Sequence, residues 1–178
     1  MKIKTIILLL CTLYTFSGCR SQNNTKLDYS TVNELDLQRY LGTWYEIARF
    51  DHRFERGLQG VTATYSMRND GKIKVVNQGY KNSIDGKLDV ATGKAKLTDE
   101  PGKLKVSFFW IFYGDYYILD LDKDYQWVLI GSSSPKYLWI LSRTPQLENP
   151  VKNRILELAQ KRGYDTSKLI WVEQKARE

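Results

Sequence analysis

The chain has 178 residues, 42% of them hydrophobic, with 27 Lys and Arg against 20 Asp and Glu, two cysteines and one histidine. That is a single-domain length with enough apolar chain to bury a core. The basic excess is spread along the sequence rather than gathered in a run, which makes nucleic acid a poor partner, and one His with two Cys supplies no zinc-holding cluster; neither a metal nor a cofactor is expected.

In chain order, Lys2 and Lys4 precede the apolar run 6–10 and then Phe16-Ser17-Gly18-Cys19. A charged start, a short apolar run and a small-residue cleavage site read as a signal peptide over 1–18, too short to span a bilayer. Cys11 leaves with it, so no intramolecular disulfide is available. Without Lys2 and Lys4 the mature chain keeps 25 basic against 20 acidic residues, a charge of +5. Residues 19–33 are polar and rich in Asn, Ser and Thr and read as a flexible tether, leaving 34–178 as the folded domain.

A short helix or turn at 35–41 is expected to cover one end of that domain. Eight β-rich runs follow, at about 43–51, 59–67, 72–80, 87–97, 103–111, 115–121, 125–131 and 137–143. They are separated by turn residues at Asn69-Asp70-Gly71, Asp85-Gly86, Pro101-Gly102 and Tyr113-Gly114 that tolerate positive φ. Consecutive hairpins predict an all-β, up-and-down antiparallel barrel of eight strands, a size that holds one small ligand. One helix comes next: Asn149 is placed to cap it, Pro150 sits in the first turn and Gly163 ends it. Its stripe of Val151, Ile155, Leu158 and Ala159 suits the outer wall of the barrel. The run Leu169-Ile170-Trp171-Val172 reads as a ninth strand.

Gly42-Thr43-Trp44 opens the first strand and Arg143 closes the last. A guanidinium on an indole face is worth about 0.5–2 kcal/mol and would plug one end of the barrel, a structural role for Gly42, Trp44 and Arg143. Counting by twos from Trp44 and Arg143 turns Glu46, Ala48 and Phe50, and Leu141, Trp139 and Tyr137, to the interior. The same count turns in Ile73, Val75, Asn77 and Gly79, and Leu104, Val106, Phe108 and Trp110. Inward aromatics either fill a small barrel or line a cavity, and composition leaves both readings standing. Glu46, inside, is expected to accept hydrogen bonds from Arg143 or a tyrosine. His52, in the loop after the first strand, is expected to be solvated. Ser132-Ser133-Ser134 is a turn with no base beside it, so no catalytic residue is assigned.

Gly42-Thr43-Trp44, Lys123-Asp124-Tyr125 and Leu141-Ser142-Arg143-Thr144-Pro145, in this order, resemble the three signature regions of the lipocalins. The resemblance runs from about Leu35 to Gln174 and is strongest to the bacterial outer-membrane branch and that of apolipoprotein D. It implies a calyx that binds, stores or transports fatty acids or lysophospholipids and is not an enzyme; a filled structural barrel or a lipid-modifying enzyme are the alternatives. It carries ligand contacts onto Tyr65, Asn77, Phe108 and Trp139; with the strand phase, Ala48, Phe50, Val75, Val106, Trp110 and Tyr137 complete the expected lining. Ser17-Gly18-Cys19 resembles the lipobox of bacterial lipoproteins, which implies a diacylglycerol thioether and an N-acyl chain on Cys19, enough for stable anchoring. Arg20, in place of the aspartate of inner-membrane retention, points to the outer membrane, with the domain facing the periplasm. The family resemblance permits a homodimer.

Overall fold

The computed structural model describes residues 26–175; Cys19 and the signal segment lie outside them. Eight antiparallel strands run β1 (Gly42–Phe50), β2 (Leu58–Met67), β3 (Ile73–Lys81), β4 (Leu88–Leu97), β5 (Lys103–Phe109), β6 (Phe112–Leu121), β7 (Trp127–Gly131) and β8 (Leu138–Ser142). Each pairs with the next, and β1 pairs with both β2 and β8, which closes the barrel. A short helix α1 (Leu37–Tyr40) precedes β1, and α2 (Asn149–Lys161) and β9 (Leu169–Trp171) follow β8. The barrel, the outer helix and the ninth strand agree with the sequence expectation.

Up-and-down order places the turns β2–β3, β4–β5 and β6–β7 at the end where α1 sits, the closed end. The turns β1–β2, β3–β4, β5–β6 and β7–β8 form the open rim. Asp36 caps α1 by accepting from the backbone N–H of Gln38 and Arg39, which folds the buried Tyr40 across the closed end.

The wall separates two apolar layers. Inside lie Trp44, Ala63, Tyr65, Ile73, Val75, Leu104, Ile118, Val128 and Leu141. Outside, Leu119, Leu129, Leu138 and Ile140 meet Ile155 and Ala159 of α2, and each Leu or Ile so buried contributes about 1.5–3 kcal/mol. Glu148 takes the N-cap position one residue before Asn149, with Pro150 in the first turn as expected. Gly163, at φ +90°, follows the last turn, which turns the chain toward β9.

Three expectations are corrected. First, Glu46 lies opposite Leu141 and Ala48 opposite Ile140, so Ile47 is an extra residue in β1. A β-bulge reverses the alternation beyond it, and Ala48 and Phe50 face the outer layer under α2 rather than the interior. Second, the β5–β6 hairpin turns at Trp110-Ile111, not Tyr113-Gly114. Trp110 takes φ +45° there, and Phe109 pairs with Phe112 and Val106 with Gly114. Third, residues 27–33 are not a free tether. The Asp28 N–H donates to the Arg162 carbonyl and that of Val32 to the Ile118 carbonyl, each at 3.0 Å. Arg162 returns bonds to the carbonyls of Ser30 and Leu119 at 2.8 and 2.5 Å, which fastens this segment to the outer wall.

Candidate functional site

The closed end is a plug built on Trp44. Its indole is fully buried and its Nε1 donates to the Tyr40 carbonyl at 2.8 Å. The Arg143 Cζ lies 3.8 Å from the ring centroid. Arg143 Nη2 donates to the carbonyls of Arg39, Tyr40 and Leu41, and Nη1 to that of Thr43, at 2.7–3.1 Å. One guanidinium thus covers the indole and satisfies carbonyls at the end of α1, where a helix leaves acceptors unpaired. Burial lowers its pKa from the ordinary arginine value, from a height that leaves it cationic. Gly42 stands beside Arg143 at φ +93°, a conformation strained for any side chain; a Cβ there would stand 3.4 Å from Arg143 Nη1, an ordinary contact. In the β6–β7 turn the Tyr125 hydroxyl accepts from the Asp36 N–H at 2.8 Å, and the Arg39 guanidinium lies 4.3 Å from its ring centroid. The three signature segments therefore converge on this end.

Above the plug, the Tyr116 hydroxyl meets those of Tyr40 at 2.6 Å and Tyr65 at 2.9 Å. Burial raises the pKa of all three phenols. With Trp44 they pack across the lower half of the barrel.

The upper half is different. The bulge turns Arg49 inward, opposite Trp139, and its Nη1 meets Glu46 Oε1 at 2.7 Å. Its Nη2 donates to the carbonyls of Glu55 and Leu58, so Glu46 is paired with Arg49 rather than Arg143. His52 is buried, against the expectation of a solvated loop residue, with Nε2 at 2.9 Å from Glu55 Oε2. Glu55 also accepts from Trp139 Nε1 at 3.0 Å, and the Tyr137 ring stacks on Trp139 at 5.6 Å and 7°. Burial, and then the charge of Glu55, raise the pKa of Glu46 well above the ordinary carboxyl value. Burial pushes Glu55 the same way, but the close approach and charge of His52 outweigh it and hold Glu55 below its ordinary value. This network is missing from the sequence reading.

The structure turns Tyr65, Val75, Asn77, Val106, Phe108, Tyr137 and Trp139 toward the interior. Asn77 lies opposite Ala63 and Ala91, and its Oδ1 is buried with no hydrogen-bond partner among the described residues. The middle of β4 turns three small residues inward, Ala91, Gly93 and Ala95, opposite Asn77, Val75 and Ile73. A Cβ on Gly93 would stand 2.6 Å from the Ser107 carbonyl oxygen and 2.8 Å from the Phe108 ring, so Phe108 lies over this row because no side chain stands there. Val75 is fully buried, whereas inward-facing Asn77, Ala91, Phe108 and Trp139 keep solvent access, the exposure gradient of a cup. Trp110 does not line it: on the hairpin tip its side chain is 88% exposed.

Residues 35–174 match the family described as a lipocalin-like domain. The chain is 53% identical over 147 residues to the outer membrane lipoprotein Blc of Escherichia coli K12, covering 82% of each chain. It is 42% identical to that of Vibrio cholerae, covering 97% of this chain and 99% of the relative. Apolipoprotein D of Rattus norvegicus is 36% identical over 157 residues, covering 80% of this chain and 81% of the relative. Insecticyanin from the tobacco hornworm Manduca sexta superposes with a TM-score of 0.68 at 20% identity, covering 83% and 85%, which speaks to the fold alone. The Blc relatives place the chain in the outer-membrane envelope. Family match, relatives and a barrel plugged by Trp44 and Arg143 agree: the chain belongs to the lipocalins.

Proposed function

We propose that the protein is a carrier of single-chain amphiphilic lipids, held at the outer membrane by acyl groups on Cys19 with its domain in the periplasm. The acyl chain runs against Val106 and Phe108 over the small row of β4, and the head group lies at Asn77 and the His52–Glu55–Trp139 cluster. The observation that carries this reading is the Asn77 amide oxygen. A buried acceptor without a donor costs about 1–3 kcal/mol, and a hydroxyl-bearing ligand would relieve it. A lysophospholipid has such a hydroxyl on its glycerol, whereas a fatty-acid carboxylate has only acceptors to offer. A dozen methylenes at about 0.8 kcal/mol each supply ample driving force before ordering costs.

The test is titration of the chain with Cys19→Ala against a lysophospholipid and a fatty acid of equal length, read by tryptophan fluorescence and calorimetry. Micromolar or tighter binding is expected, stronger for the lysophospholipid, and Asn77→Ala should reduce that preference. An absence of heat and fluorescence change with both lipids would sink the carrier reading. Equal affinities, unaffected by Asn77→Ala, would sink the role given to the amide.

A further inference from the structure

The largest apolar exposure on the described surface is the tip of the β5–β6 hairpin. Phe109, Trp110, Ile111 and Phe112 are consecutive and 71%, 88%, 78% and 77% exposed. The stretch 107–114 around them carries no charge. A contiguous exposed patch of this kind marks an interaction surface. It stands on the open rim, with Phe54 of the β1–β2 turn, itself 60% exposed. Immediately behind the tip, the Lys94 and Lys96 ammonium groups lie 5.8 and 5.0 Å from the Tyr113 ring centroid. Apolar tip, then tyrosine, then lysine is the order of hydrocarbon, interface and phosphate met on entering a bilayer. The turns of the closed end are polar by contrast, with Arg68, Asp70, Lys72, Asp99, Glu100, Asp122, Lys123 and Asp124.

A separate observation concerns where the chain enters the fold. Leu27 lies in a cleft with Phe50, Asp51, Pro135 and Lys136, all at or beside the open rim, and from there residues 28–35 descend the wall to the closed end. Cys19 precedes Lys26 by seven positions, and seven extended residues span at most about 25 Å. An acylated Cys19 is therefore tethered to the rim that carries the apolar tip, not to the plugged end.

We infer that the open mouth faces the membrane and that the β5–β6 tip inserts into its interfacial layer, so that a lipid passes between leaflet and calyx without crossing water. The inference rests on the carrier reading for its purpose, but the orientation has its own test. The chain with Cys19→Ala is mixed with neutral phosphatidylcholine vesicles at low and high salt and sedimented, beside the same chain carrying Trp110→Ser and Ile111→Ser. Both positions are exposed turn residues outside the cup, so equal melting temperatures and equal lysophospholipid affinity in vesicle-free solution are expected.

Vesicle binding should be nearly independent of salt, as an apolar insertion is, and should fall at least tenfold in the double variant. Lipids brominated near the head group should quench the fluorescence of the parent chain and not that of the variant. Equal sedimentation of parent and variant would overturn the inference. So would a parent that ignores vesicles but dimerises through the tip, seen as a dimer that the two serines convert to monomer. Loss of lysophospholipid binding in solution, with vesicle binding intact, would count against the carrier reading alone.

Discussion

Arg49 and Glu46 stand three residues apart in one β-strand and meet at 2.7 Å inside the barrel. A regular strand sends such residues to opposite faces; the extra Ile47 puts them on the same one. The guanidinium also holds two carbonyls of the segment between β1 and β2, so a single strand defect assembles the polar half of the cup.

Arg49→Met should therefore destabilise the protein by about 3–5 kcal/mol, the cost of stripping one partner from a buried pair. The double variant Arg49→Met with Glu46→Leu should regain most of that loss, because no charge is left alone. Urea unfolding of both measures it. A double variant as weak as the single would show that the ion pair is not the cause.

The three linked phenols predict alkaline sensitivity. Burial raises the pKa of Tyr40, Tyr65 and Tyr116 above the ordinary value of 10.0. Their contribution is fully present below pH 10 and is lost as pH rises from there toward the folded values. While the folded protein keeps these protons, each tyrosine adds about 1.4 kcal/mol per pH unit to the slope. Tyr116→Phe should reduce that slope by one group, read by denaturant titrations between pH 9 and 11. An unchanged slope would refute the assignment.

Plug and pocket should fail differently. Arg143→Ala removes the cation from the indole and the donors from the α1 carbonyls, for a loss of about 2–4 kcal/mol, while lipid affinity at low temperature stays within about twofold. Trp139→Ala removes an aromatic wall next to Glu55 and should weaken lysophospholipid binding more than it weakens folding. Thermal melts and lipid titrations on both variants decide this; a fully stable Arg143→Ala, or normal binding by Trp139→Ala, contradicts the respective role.

Ala91→Leu tests the small row. Ala91 faces inward yet keeps solvent access, so a larger side chain has room and stability should change by no more than about 0.5 kcal/mol. Long-chain lipid should bind at least tenfold more weakly because the side chain occupies its volume. Unaltered affinity would move the ligand elsewhere.

The barrel was legible because its turn residues recur between β-rich runs, and the plug because Gly42, Trp44 and Arg143 stand at the ends of the first and last strands. Period-two counting also placed Val75, Asn77, Phe108 and Trp139 correctly. The same counting failed at Ala48 and Phe50, since an inserted Ile47 looks no different from any other strand residue. Tyr113-Gly114 misled because glycine is the usual mark of a turn, whereas the hairpin reverses at a tryptophan. His52 and Glu55 were hidden because their burial depends on a loop folding back over the mouth, a contact between segments that local pattern does not encode.

β1 is the first strand of the barrel to leave the ribosome and the last to complete its pairing. Tyr45 waits for Ser142 and Ala48 for Trp171, so closure links the two ends of the domain and carries the loop entropy of nearly the whole chain. Until β8 arrives one whole edge of β1 stays open to other chains, and until β9 arrives the Ala48–Phe50 stretch of the opposite edge does. A chain that stalls or is clipped before residue 171 keeps the Ala48–Phe50 stretch bare even with β8 in place, which makes the far C-terminus the point at which both edges of β1 are covered.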